Sequence, residues 1–236
     1  MIRGMFAVLF TLVGMALASD IVTIEDKSAA ASPLRNSGTA IVTEQPHDGQ
    51  FDRSIQASWV VTNSSTKDIV AVVESLSVEY PSGARGAQVN QYELFFQPSL
   101  MKPGDTVPFE TSGRNEVGQS PLIVGSSRST CDVTTLWVQF ADGTTFGDAQ
   151  YAEPLLRGRR ASLEAMSRLR DIYQHQGTES FIEELKDPTI PKDADLYAVV
   201  VQDLRTLIEQ KHNMRAACRR LEQKLDVAQA RIGLLN

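Results

Sequence analysis

Cysteine and histidine are scarce: the 236-residue chain has two of the first and three of the second. A disulfide framework is therefore excluded, and so are zinc sites built from spaced Cys and His, because His47, His175 and His212 share no ligand spacing with one another or with a cysteine pair. No glycine-rich loop has the phosphate-cradling spacing, and no serine sits in a strand-turn-helix nucleophile motif. No cofactor and no metal is expected. Nor is there a basic excess: 23 Lys+Arg against 29 Asp+Glu give a net charge of -6, which argues against a nucleic-acid partner. With 42% hydrophobic and 22% charged residues, the chain has enough apolar content for a core.

The beginning of the chain has the layout of a signal peptide over residues 1–18. Arg3 is the positive end, Met5 to Met15 the apolar stretch, and Ala16-Leu17-Ala18 the small-x-small site before Ser19. The alternative, an uncleaved anchor, needs about 20 apolar residues, more than this run supplies. Export to the periplasm or outside the cell is expected. No transmembrane segment is expected once the signal is removed.

Residues 19–37, small and charged apart from Ile21-Val22-Thr23, read as a flexible lead-in, with an edge strand near Gly38 to Val42. Residues 38–150 read as a β-rich domain. Ile55, Ala57, Trp59 and Val61 alternate with Gln56, Ser58, Val60 and Thr62, the period of a half-buried strand. Ile69 to Tyr80 is a second run whose apolar face switches between Val73 and Leu76, the mark of a bulge. Shorter strands are expected at Tyr92 to Phe96, Thr106 to Phe109, Pro121 to Val124 and Val133 to Phe140, the last returning through the Asp142-Gly143 turn. Short strands without crossover helices predict an antiparallel sandwich of two sheets, so the fold class is mainly β with a helical C-terminal region. The runs Trp59 to Ala71, Met101 to Asp105 and Phe140 to Thr144 resemble immunoglobulin-like sandwich segments of exported, mostly uncharacterised bacterial proteins, over about residues 40–148. That resemblance implies a secreted or periplasmic bacterial setting and a sandwich, and it brings no catalytic residues with it.

Beyond position 150 the acid excess ends and helical periodicity begins. In the segment 151–192, Leu163, Met166, Leu169, Ile172 and Tyr173 line one face of a helix over 153–176; Gly177 stops it, and a short helix through Leu185 follows, before the loop with Pro188 and Pro191. Residues 193–236 carry a 3-4 repeat: Tyr197, Leu204, Lys211, Cys218, Leu225 and Ile232 at a, with Val200, Leu207, Met214, Leu221, Ala228 and Leu235 at d. This predicts one long amphipathic helix with a coiled-coil seam. Its first half is expected to pack within the chain and its second half against a second copy; a purely intrachain seam and a different partner helix are the alternatives. The residues expected at the contact are Leu204, Leu207, Met214, Cys218, Leu221, Leu225, Ile232 and Leu235. Cys131 and Cys218 either form a disulfide or stay free thiols, and in a parallel dimer Cys218 would meet its own copy.

Among weaker signals, Arg157, Arg159 and Arg160, with Arg219 and Arg220, form a basic group suited to a solvated helix face or to weak contact with a membrane surface. Asn63-Ser64-Ser65 fits a glycosylation acceptor, and Asp48, Asp52, Asp142 and Asp148 lack the loop spacing of a calcium site. The reading that gathers these features is an exported, non-enzymatic interaction or assembly factor engaging a protein partner or a second copy through 200–235. Two classes compete with it. One is an exported hydrolase with its site around Asp142, Asp148, His47 or Cys131, and the other is an extracellular-polymer binding module with Trp59 or Trp137 as platform.

Overall fold

The computed structural model describes residues 18–47, 50–115, 128–210 and 212–235. Residues 1–17 of the expected signal segment, Asp48, the strand at Pro121 to Val124 and Lys211 lie outside the described residues, as does the side chain of His47.

Strands β1 (Ala18–Asp26), β2 (Leu34–His47), β3 (Gln50–Asn63), β4 (Ile69–Glu79), β5 (Arg85–Glu93), β6 (Thr106–Asn115) and β7 (Thr130–Phe140) form one sheet in the order β5-β4-β7-β1-β2-β3-β6, with the short β8 (Thr145–Gly147) also on β7. Every pairing is antiparallel except β1 with β7. The β-rich part with helices after it is as expected, but the two expected sheets are here two halves of a single sheet, joined by the β1–β7 ladder and curled into a half-barrel around its own core. That core takes the inward residues of both halves, among them Ala57, Trp59 and Val61 from β3 and Val72, Leu76 and Val78 from β4.

The lead-in over 19–37 is a correction. Residues 18–26 are a strand between β2 and β7, and β2 begins at Leu34, which is fully buried. Tertiary pairing on both edges holds a segment whose sequence shows little alternation: Ile24 faces the core, while Ile21 is 78% exposed. The bulge expected in the second run does occur, as a register shift in the β4–β7 ladder between Val73 and Glu74. The run Ile69 to Glu74 is buried residue after residue because one face of β4 meets the sheet core and the other meets helices, which gives a continuous apolar stretch.

Helix α1 spans Ala152–Lys186 and is interrupted at Gly177, whose φ of 87° is open to glycine and strained for other residues. The break and restart fall where the sequence places them. The single long helix over 193–236 is a second correction: the chain forms α2 (Asp195–Glu209) and α3 (Met214–Ala230), then a 3-10 turn at Ile232–Leu235. His212 takes a left-handed φ of 45°, and the Asn213 carboxamide oxygen accepts from the Ala216 amide at 3.0 Å to start α3. The heptad repeat runs unbroken through this turn because each helix buries its own stripe, and that spacing is the same whether the partner is another molecule or the next helix. Helices α1, α2 and α3 close one core containing Met166, Leu169, Phe181, Leu204, Leu221 and Leu225.

Candidate interaction site at the open rim of the sheet

Two arginines and a shared apolar core fasten the bundle to the sheet. Arg159 of α1 is wholly buried; its Nε and Nη2 donate to the two carboxylate oxygens of Glu93, at the end of β5, over 2.8 and 3.0 Å. Its Nη1 donates to Gln139 of β7, whose amide in turn donates to the Leu234 carbonyl at 3.1 Å. The guanidinium lies 4.7 Å from the centre of the Phe95 ring. Burial pushes the Glu93 carboxyl above the usual carboxylate range, against the pull of Arg159. Arg231 adds a second clamp, donating to the carbonyls of Leu94, Phe95 and Gln97. Bidentate pairing and full occupation of the donors are what a buried guanidinium requires.

The helical seam is consumed by this arrangement. Leu204, Cys218, Leu221, Leu225 and Leu235 are buried, Leu207 and Met214 are half-buried, and only Ile232, at 45%, is exposed. Cys131 and Cys218 are free thiols in two different cores, so the structure pairs neither with the other, and Cys218 sits inside its own chain beside Tyr173. The Cys131 thiol is pushed up to about 12, by burial first and the Asp132 charge second, which removes it as a nucleophile.

The remaining candidates do not converge. Asp142 is exposed, ion-paired with Lys67 at 2.8 Å and held well below the usual carboxylate range by hydrogen bonds from Lys67 and Thr144. Asp148 caps the 3-10 turn at Ala149–Tyr151, and Cys131 lies toward the opposite end of β7 from Asp142. Trp59 and Trp137 are core residues. Asn63 is fully buried and donates to the carbonyls of Lys67 and Met101, so its glycosylation pattern is closed off. Of the basic group, Arg157 is paired with Glu153 and Asp193, Arg159 is buried, Arg160 holds the Leu235 carbonyl and Arg220 faces Asp203. Among the described residues, no group of three or more His, Cys, Asp or Glu is placed to hold a metal ion.

What the fold does leave open is its rim. The terminal strands β5 and β6 run in opposite directions and, among the described residues, pair with β4 and β3 respectively and with no other strand. They approach each other through side chains: the Tyr92 and Phe109 rings are 5.7 Å apart, and the Thr111 hydroxyl donates to Gln88 Oε1 at 3.0 Å. Gln88 donates onward to Asn90 Oδ1 at 3.1 Å, leaving the buried Asn90 Nδ2 without an acceptor. Phe109 stacks on Trp59 at 5.2 Å, and the Trp59 indole donates to Glu74 Oε2 at 3.2 Å. Glu74 is fully buried opposite Asn90 in the ladder; desolvation raises its pKa, against hydrogen bonds from Trp59 and Thr135. A hollow of about 430 Å³ opens where β5 ends and β6 begins, lined by Tyr92, Leu94, Met101, Thr106 and Val107 among others.

Sequence reasoning placed a strand at Tyr92 to Phe96, one element too late. An edge strand whose inward face is only partly covered need carry no apolar alternation, and Gly86 to Tyr92 shows none. The usable signal was the turn before it, closed by Tyr80 and Ala84 around Gly83, followed by a stretch free of proline and charge. No protein-family model matches the chain, and no curated protein matches it.

Proposed function

We propose that the protein is an exported, non-enzymatic interaction factor in which the helical bundle is a fixed buttress and the rim of the curled sheet is the contacting surface. The observation that carries this reading is the contrast between a helical seam buried in its own chain and two terminal strands, β5 and β6, that each pair on one side among the described residues. The half-barrel is consistent with an immunoglobulin-like ancestry of the exported bacterial type, which is kept here as part of the proposal. On this reading, the contact foreseen for residues 200–235 moves to β5 and β6.

Two measurements test it. Full-length protein expressed in a bacterium and recovered from the periplasm is expected to begin at Ser19 by N-terminal sequencing; recovery only inside the cell with Met1 intact would remove the export half. A photo-crosslinking residue at Val89 of β5 is expected to give partner adducts, and one at Ile232 is not. Adducts from Ile232 alone would return the contact to the helices.

A further inference from the structure

The outer side of the sheet is covered over one half only. Behind β4 and β7, the residues Ala71, Val73 and Trp137 pack against Leu155 of α1. Behind β1, β2, β3 and β6, no helix packs among the described residues, and the alternate outward side chains point to water. From Ser37 to Thr43 on β2, and from Ser54 to Val60 on β3, these are hydroxyls, one carboxamide and two branched hydrocarbons, with no charge among them. Ile41 lies beside the exposed Ile21 of β1 in the ladder, and Val60 is exposed on the next strand. Charge is what normally keeps an exposed face from associating, and the chain as a whole is 22% charged. A hollow of about 410 Å³ across β2, β3 and β6, between Ile41, Gln56, Ser58 and Glu110 among others, gives the face relief into which a side chain fits.

The charges of β2 and β3 stand at the two ends of this face. Arg35, opposite Thr62, closes one end, and Asp52, opposite Gln45, closes the other; both are exposed. Their rows are about 34 Å apart along the strands. Arg35 donates to the carbonyls of Ser32 and Leu34 over 2.9 and 2.7 Å, which leaves its charge in place. At the lateral borders, Glu110 stands on β6 and Glu25 on β1, the latter paired with Lys27.

We infer that this face docks on the same face of a second copy turned end for end, about a two-fold axis lying across the strands. Such a contact is isologous, each copy giving the same patch. It brings Arg35 of each copy over the Gln45–Asp52 end of the other, so the opposite charges are matched twice. Between them, the Ser and Thr hydroxyls both donate and accept, which lets the surface satisfy itself, while Ile21, Ile41 and Val60 leave water. Two sheets packed in this way lie about 10 Å apart with their strands roughly aligned. The four strands offer roughly 650 Å² of sheet plane at the usual spacing and rise. Side-chain relief brings the accessible surface close to the about 800 Å² that a stable interface takes from each partner. The face leaves out β5, so the inference stands apart from the reading of the rim and from the crosslinks at Val89.

The test is the solution mass of the whole chain from Ser19 onward, by light scattering and sedimentation from micromolar to millimolar concentrations. A concentration-dependent dimer is expected. Ile41→Lys places an ammonium from each copy in the covered face and is expected to raise the dimer dissociation constant about a hundredfold or more. The thermal midpoint of the monomer should not change, because that side chain faces water there; if it falls, Gln56→Arg, from the same row, takes the place of Ile41→Lys. Arg35→Glu is expected to weaken the dimer about tenfold, and adding Asp52→Arg to bring it back to within about threefold. A monomer at every concentration, or a dimer indifferent to substitution in the Ile41–Gln56 row, would overturn the inference. So would a charge exchange that restores nothing, since the two ends then do not meet.

Discussion

The sheet and the bundle solve the same burial problem with different materials. Among the described residues, the buried polar side chains of the helices are Arg159 and Ser162, both on α1, whereas the sheet and its loops bury Asn36, Glu44, Arg53, Asn63, Glu74 and Thr135 among others. A helix satisfies its backbone internally and needs only an apolar stripe. A curled sheet must close its ends and keep its register, and polar pairs do both. Arg53 on β3 meets Glu44 on β2 at 2.7 Å, and the Ser82 amide and hydroxyl, from the β4–β5 turn, donate to the same carboxylate. One cluster thus ties the two halves of the sheet together, and a slip of one residue would turn every member to the wrong face.

The largest effect is expected where the two regions join. Arg159→Met leaves Glu93 buried without its partner and should cost about 3–5 kcal/mol in urea unfolding. The paired change with Glu93→Gln should recover part of that loss; if the single substitution is neutral, the junction is not what holds the regions together. Next comes the bundle alone. Leu221→Ala should cost about 2–5 kcal/mol, because the buried side chain leaves a cavity, while Ile232→Ala should stay within about 0.5 kcal/mol. Equal effects at the two positions would mean that the stripe is not closed inside one chain.

A smaller effect separates the sheet interior from the bundle through pH. The Glu74 pKa lies above its ordinary value of 4.5 in the folded state, so the folded protein holds this proton more tightly than the unfolded chain. Its contribution is fully present below 4.5 and is lost as pH rises through the folded value. Asp26 works the other way: hydrogen bonds from Ser28 and Asn36 outweigh its desolvation and lower its pKa, so its share of stability is present above 3.8 and falls away in acid. Glu74→Gln should remove the first dependence and leave the second, as read from thermal midpoints across acid pH. The smallest expected change is redox. Reduction should alter neither mobility nor melting, and iodoacetamide should leave Cys131 unmodified until the chain unfolds.

How much of this was legible beforehand follows from where each signal resides. The alternation of Ile55, Ala57, Trp59 and Val61, the turn at Asp142-Gly143 and the interruption at Gly177 are local, and each appears where the sequence puts it. β1 and β5 were missed for opposite reasons. β1 is held between two neighbours that pair with whatever backbone lies there, and β5 is an edge strand whose inward positions, Gln88, Asn90 and Tyr92, are mostly polar and only half covered, so no apolar alternation marks it. The rim itself was invisible, because an unpaired edge is a property of the sheet order and of no single segment.

The amino-acid sequence by itself determined the kind of each long element and the stripe it buries, since periods of two and of three to four residues follow from backbone geometry alone. Only the tertiary structure decided what covers each stripe. A heptad row has the same spacing against a second molecule as against the next helix, and the left-handed His212 with the Asn213 cap turned it inward. That turn closed the helical stripe inside the chain, and the one parallel ladder between β1 and β7 set the sheet order that leaves β5 and β6 as its terminal strands among the described residues.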